Sequence, residues 1–116
     1  MPFFRFLNRA RTTGLLLVAC WVTIPAQAAV DEDMAEQTLT ANKCLKCHSI
    51  DKKKEGTPYK EVAKKYRGKA DAEKKIFKHL TTAPMVEIDG VEEEHKVIKV
   101  KSEAETFNLI RWILAQ

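Results

Sequence analysis

With 116 residues the chain has room for one small domain, and its 20 basic against 16 acidic residues give a net charge of +4. That excess belongs to the first 28 residues: Arg5, Arg9 and Arg11 sit there with no acid before Asp31, and removing them leaves 17 bases against 16 acids, near +1. A remainder so nearly balanced gives nucleic-acid binding no support.

Those first 28 residues read as an export leader. The arginines form a positive n-region, Gly14 to Ile24 is apolar, and Pro25 precedes the small-x-small site Ala26-Gln27-Ala28. The apolar run is too short for a comfortable membrane span. Cleavage after Ala28 leaves residues 29–116, 88 residues, and places the protein in the periplasm of a bacterial envelope. Leu17-Val18-Ala19-Cys20 offers an alternative, a lipoprotein site that would leave Cys20 acylated and the protein anchored to the envelope membrane. Trp21 to Ile24 prolong the apolar run past Cys20, which suits a discarded leader better.

Beyond the leader the periodicity is mainly helical. A first helix is expected from about Asp33 towards Asn42, with Met34, Thr38 and Ala41 on one side and acids in its first turn, where the helix dipole favours them. It leads into Cys44-Leu45-Lys46-Cys47-His48, the most informative segment of the chain. C-x-x-C-H is the attachment signature of a c-type haem. Two thiols three positions apart on a turning backbone can form thioethers with the two vinyl groups of one porphyrin, and the following His comes under the iron as proximal ligand. A thioredoxin-type Cys-x-x-Cys has no need of the His and usually sits beside a βαβ pattern. A zinc site needs a second pair of ligands at short spacing, and His79 and His95 stand alone. With one such motif the expectation is one covalent haem c, with its iron, in one domain.

A charged loop, Asp51 to Gly56, follows. Thr57 then reads as an N-cap with Pro58 at the first helical position; Tyr59, Val62, Ala63 and Tyr66 mark one face, and Gly68 a C-terminal stop. Asp71 can cap a third helix whose Ile76, Phe77 and Leu80 point inward. From Ala83 to Lys101 the β-branched residues and the Asp89-Gly90 turn signal predict a short hairpin or an ordered loop, at about 85–100. Ser102-Glu103-Ala104-Glu105 is a capping box opening the last helix, with Phe107, Ile110, Ile113 and Leu114 as its stripe. Residues 43–69 carry ten bases and three acids, including Lys43, Lys46, Lys52, Lys53 and Lys54. This block is either an ordinary solvated surface or a basic rim that steers acidic redox partners to the haem edge.

Taken together, these motifs resemble the small bacterial class I mono-haem cytochromes c. The similarity covers essentially all of 29–116 and rests on Cys44 to His48, on Gly56-Thr57-Pro58-Tyr59-Lys60-Glu61-Val62-Ala63 with Lys64 to Gly68, on Ala70-Asp71-Ala72-Glu73, and on Trp112-Ile113-Leu114. The resemblance implies an all-α class I cytochrome c fold, helices wrapped round one haem with the terminal helices crossing. It implies single-electron shuttling between larger redox proteins, with His and Met as axial ligands. The family's Gly-Pro pair after the haem motif, whose carbonyl accepts a hydrogen bond from the proximal His, is here interrupted by Thr57, so the same role is expected from this segment through a carbonyl not yet identified. The family's Ile-Pro-Met-Pro-like loop is missing, and Ala83-Pro84-Met85-Val86 is its nearest echo.

The distal ligand therefore lies between His95 and Met85, or the sixth position is open. Met85 lies 37 residues after His48 and 27 before Trp112, whereas His95 lies 47 after and 17 before, nearer the family's placement. Imidazole is a competent haem ligand, so the expectation is His48 and His95. Glu92-Glu93-Glu94 beside it would equally suit a surface His, and His79 reads as surface. A saturated iron makes the protein an electron carrier, free or as the haem subunit of a complex, and not an enzyme in its own right. The rival reading is a ligand-binding or sensor haem protein with a labile sixth position; nothing resembles the four-helix cytochrome c′ type, whose haem motif lies near the C-terminus.

Overall fold

The computed structural model describes residues 21–23 and 29–116. The rest of the leader, Cys20 included, lies outside the described residues. The described chain runs α1 (Glu32–Ala41), a 3-10 turn (Cys44–Lys46), α2 (Tyr59–Tyr66), α3 (Ala72–Thr81), β1 (Met85–Ile88), β2 (Val91–Glu94) and α4 (Glu103–Leu114). Among the described residues no helix is long and apolar enough to cross a membrane.

The last helix organises the rest. α1, α2 and α3 all pack on α4, so its buried surface is wider than one stripe: Leu109, Ile110, Trp112 and Ile113 are buried, along with Thr106 and Asn108, while Phe107 and Leu114 are only partly buried. α1 is capped by Asp31, whose carboxylate accepts from the Met34 N–H at 2.9 Å. It buries Ala35, Thr38 and Leu39 and leaves Ala41 exposed. The face is thus turned from the Met34–Thr38–Ala41 line by about one residue. The reason is tertiary: Ala35 and Leu39 belong to the core that α4 completes, and the Thr38 hydroxyl is satisfied by the Met34 carbonyl at 2.9 Å. α1 and α4 are further joined where Trp112 Nε1 donates to Glu32 at 2.7 Å.

None of the three caps predicted at Thr57, Asp71 and Ser102 forms its side-chain bond: Asp71 does hold the cap position of α3, but its carboxylate pairs with Lys75 at 2.9 Å. α2 starts at Tyr59 with Pro58 in the cap position. Its first free amides, of Tyr59 and Lys60, donate to the carbonyls of Ser49 and Ile50 at 2.9 Å each, so no Thr57 side-chain cap is needed. Ser102 precedes α4 in extended conformation without a side-chain cap bond; the Glu105 carboxylate reaches back to the Lys101 N–H at 3.1 Å. Gly68, at φ 76°, ends α2 as predicted, and Asp89 and Gly90, at φ 51° and 82°, make the tight turn of the hairpin. The strands pair antiparallel from Ile88↔Val91 to Met85↔Glu94. Beyond Glu94, residues 95–100 have no regular secondary structure before the bend that leads into α4.

Ala83, between α3 and β1, holds φ 49°. A side chain other than Gly in this left-handed region costs about 1–2 kcal/mol, partly offset because Gly has more freedom when unfolded. Ala83→Gly is therefore expected to stabilise the protein by about 0.5–1 kcal/mol, read as a higher denaturant midpoint at unchanged slope. A lower midpoint would mean that the bend carries no strain.

Candidate haem site

The proximal half of the site is built at the end of α1. Lys43 takes a left-handed conformation, φ 57°, and turns the chain into Cys44–Lys46. The Cys44 carbonyl then accepts from both the Cys47 and His48 N–H groups, at 3.2 and 3.0 Å. This closes the turn and sets both cysteines and His48 on the wall of one cavity of about 500 Å3. Neither Cys44 nor Cys47 is in a disulfide, so both are free for thioether formation. Burial pushes the Cys44 thiol above its ordinary pKa, and the Glu55 carboxylate, accepting from the Cys47 thiol at 3.2 Å, raises that of Cys47.

His48 is held on three sides. Its Nδ1 lies 2.8 Å from the Thr57 carbonyl; a carbonyl only accepts, so Nδ1 carries the proton and Nε2 keeps its lone pair for a metal. The carbonyl role expected of this segment thus falls to Thr57. Tyr59 lies nearly parallel to the imidazole, centroids 5.0 Å apart at 18°, and Trp112 meets Tyr59 edge-on at 5.5 Å. Burial raises the pKa of the Tyr59 hydroxyl, with Cys44 as its neighbour. On the third side stands Gly56, where a Cβ would come within 2.5 Å of His48 Cε1 and 2.7 Å of Nδ1. The Gly56 N–H is itself bound to the Cys47 carbonyl at 2.7 Å.

The facing wall carries His95. Its N–H donates to the Pro84 carbonyl at 2.8 Å, closing the base of the hairpin. Its Nδ1 lies 2.9 Å from the Lys96 carbonyl, so here too Nδ1 is the donor and Nε2 the free nitrogen. The rings of His48 and His95 stand 6.2 Å apart between centroids, at 51°. Two imidazoles sharing one metal through bonds of about 2 Å each have centroids about 6 Å apart. His79 also reaches the cavity from α3, its ring 4.4 Å from that of His95. Burial lowers the pKa of both His79 and His95, which favours the neutral form a ligand requires.

Met85 is placed differently. It is 56% exposed, sits opposite Glu94 in the hairpin, and is absent from the cavity wall, which its neighbours Val86, Glu87 and Ile88 do line. The structure therefore brings Cys44, Cys47, His48 and His95 round one cavity and leaves Met85 outside it. Among the described residues no cluster of three or more His, Cys, Asp or Glu could hold a metal ion unaided; the donors suit a metal already carried in a macrocycle. The roles of Tyr59, Gly56 and His79 at the site were not evident from the sequence. His79 had a signal, since it lies one turn from Ile76 and beside Leu80, at the edge of the buried face of α3, although it is itself exposed.

Known proteins share the sequence pattern and the fold. The family model described as cytochrome c matches residues 35–115. Cytochrome c-551 of Pseudomonas aeruginosa is 32% identical over 104 residues, 89% of this chain and 95% of that protein. The crystal structure of the class 1 cytochrome MtoD from Sideroxydans lithotrophicus ES-1 superposes with a TM-score of 0.72 at 50% identity, over 75% of this chain and 97% of that one. The chain thus belongs to the cytochrome c family, with the class I fold and with covalently bound haem c and its iron as the cofactor which that family's chemistry requires.

Proposed function

We propose that the protein is a periplasmic single-electron carrier with one haem c, attached through Cys44 and Cys47 and ligated by His48 on the proximal and His95 on the distal side. The observation that carries this reading is the facing pair of imidazoles, 6.2 Å apart, each with Nδ1 engaged by a backbone carbonyl. Such bonds fix the ring orientation and leave Nε2 to the metal. Bound there, the haem supplies one-electron chemistry. The chain's own part is to hold both imidazoles in place through oxidation and reduction, so that little reorganisation accompanies transfer, and to leave no position for a substrate. The protein is accordingly not an enzyme.

Location follows from the leader 1–28, whose removal would release residues 29–116 as a soluble exported domain. The partners are redox proteins. Lys43 and Lys46 of the proximal turn and Lys96 and Lys99 of the distal segment line the cavity and are exposed, as are Glu55, Glu87, Glu93 and Glu94, so the rim is of mixed charge. The basic excess lies in residues 43–69, ten bases against three acids, and that side would suit a partner with an acidic docking face.

Optical and EPR spectra of the mature holoprotein test the reading. The expected wild-type protein is low-spin when ferric, lacks the near-infrared Met–iron band and does not bind carbon monoxide when ferrous. His95→Ala should be high-spin and bind carbon monoxide. An unchanged low-spin spectrum in His95→Ala would remove His95 as ligand, and a wild-type protein that binds carbon monoxide would favour a ligand-binding role.

A further inference from the structure

The segment that presents His95 has little packing of its own. Between residues 95 and 101 only Ile98 is buried; Val97 is 48% exposed. Besides the Lys101 bond to Glu105 at its far end, the segment is fixed by hydrogen bonds at three points. The His95 N–H is held by Pro84 and the Ile98 N–H by the Leu80 carbonyl, at 2.8 and 3.0 Å. The third point is a side chain from the opposite half of the site. Asn42 Oδ1 accepts from the Lys99 N–H at 2.7 Å, and its Nδ2 donates to the Lys99 carbonyl at 3.0 Å. Nδ2 also donates to the Thr38 carbonyl at 2.9 Å. One amide thus pairs with both polar groups of a residue 57 positions away, the bond pattern of an antiparallel strand pair.

The place of Asn42 gives this pairing its meaning. It ends α1, immediately before the left-handed turn at Lys43 that leads to Cys44 and His48. Its side chain therefore joins the element that supplies the proximal ligand to the segment that supplies the distal one. A matched pairing exists at the other end of α1. Asn108 Oδ1 accepts from the Asp31 N–H and its Nδ2 donates to the Asp31 carbonyl, both at 2.8 Å. That second clamp joins α1 to α4 and makes no bond to residues 95–101.

We propose that Asn42 is the positioning residue of the distal ligand: by clamping Lys99 to the end of α1 it holds His95 across the cavity from His48, and it sets how often that imidazole releases the iron. The proposal rests on the reading of His95 as distal ligand. Asn42 lines the cavity but its hydrogen bonds go to Thr38 and Lys99, not to His48 or His95; it acts through the backbone of residues 95–99.

Cyanide binding to the ferric holoprotein tests this, because cyanide can enter only when the distal imidazole has left. At saturating cyanide the observed rate becomes that of ligand release. Asn42→Ala is expected to raise this limiting rate about tenfold, the size expected from losing two hydrogen bonds that hold the closed form. Asn42→Asp, which keeps the acceptor for the Lys99 N–H and loses the donors, should fall between it and wild type. It also provides a readout should the Ala variant fold poorly. Asn108→Ala is expected to lower the melting temperature while leaving the limiting rate within about twofold of wild type, since its clamp does not reach the distal segment. Wild-type rates in both Asn42 variants would overturn the proposal, as would equal acceleration by Asn108→Ala, which would make the effect one of general stability. His95→Ala, run alongside, separates the two readings. Ungated cyanide binding in that variant upholds the ligand, so that unchanged Asn42 variants would count against the clamp alone. Gated binding in His95→Ala would overturn the ligand assignment and the clamp with it.

Discussion

Replacing Gly56 by Ala is expected to loosen the proximal imidazole and cost the holoprotein about 2–4 kcal/mol, a clash inside a packed turn plus the loss of a ring hydrogen bond. The added methyl would sit 2.5 Å from His48 Cε1 and 2.9 Å from the Cys47 carbonyl oxygen. Neither neighbour can easily give way. The backbone is tied by the Gly56 N–H to that same Cys47 carbonyl, and Cys47 is committed to the turn that the Cys44 carbonyl closes. The ring is fixed between the Thr57 carbonyl and Tyr59. Gly56 is not in the left-handed region that Gly68 and Gly90 occupy, so the requirement is for space rather than backbone freedom. Denaturant unfolding of the ferric protein reads the stability. The potential gives a second readout: the carbonyl bond raises the basicity of the imidazole, so its weakening should move the potential upward. Thr57→Ala is the control, since it keeps the carbonyl and should leave both nearly unchanged. Wild-type stability and potential in Gly56→Ala would show that the loop can retreat from the ring, and that the close approach at His48 is not required.

The contrast between Gly56 and Thr57 shows what could be read from the sequence and what could not. Cys44, Cys47 and His48 were legible because their chemistry depends on short, fixed spacing and on side chains that are spelled out in the sequence. The Asp89-Gly90 turn and the Gly68 stop were legible for a similar reason: both residues of the turn, and Gly68, adopt the positive φ that their types allow. The partner of His48 was not, because it is the Thr57 carbonyl, a backbone group every residue possesses. The caps at Thr57 and Ser102 failed in a related way: carbonyls of Ser49 and Ile50, supplied by the loop after the haem motif, reached the amides of α2 first. The burial face of α1 was set by α4, some seventy residues away in sequence. Asn42 reads locally as an ordinary helix end, and only the folded chain brings Lys99 to it. His95, singled out by its spacing from Trp112, lines the same cavity as His48, and His79, exposed as expected, has its ring 4.4 Å from that of His95, a proximity the sequence does not show.

With His95 as the proposed distal ligand, exchanging its imidazole for a thioether in His95→Met should raise the reduction potential by roughly 100 mV or more, within the wide span over which axial ligands tune haem iron. The sign follows from donor strength: a thioether gives less electron density to ferric iron than imidazole does, so the oxidised state loses more than the reduced one. The site is suited to the exchange. The backbone at position 95 is held by the Pro84 carbonyl independently of the side chain, and Met has a reach similar to that of His. The substitution gives up only the bond from Nδ1 to the Lys96 carbonyl. His79 is the neighbour that makes the experiment informative, its ring being 4.4 Å from the one removed. Appearance of the near-infrared Met–iron band together with the raised potential would fix the sixth ligand at position 95. A low-spin protein without that band and with an unshifted potential would mean that in the variant the sixth ligand does not come from position 95. Addition of His79→Ala would then show whether the neighbouring imidazole holds the iron, since only in that case would the double variant become high-spin.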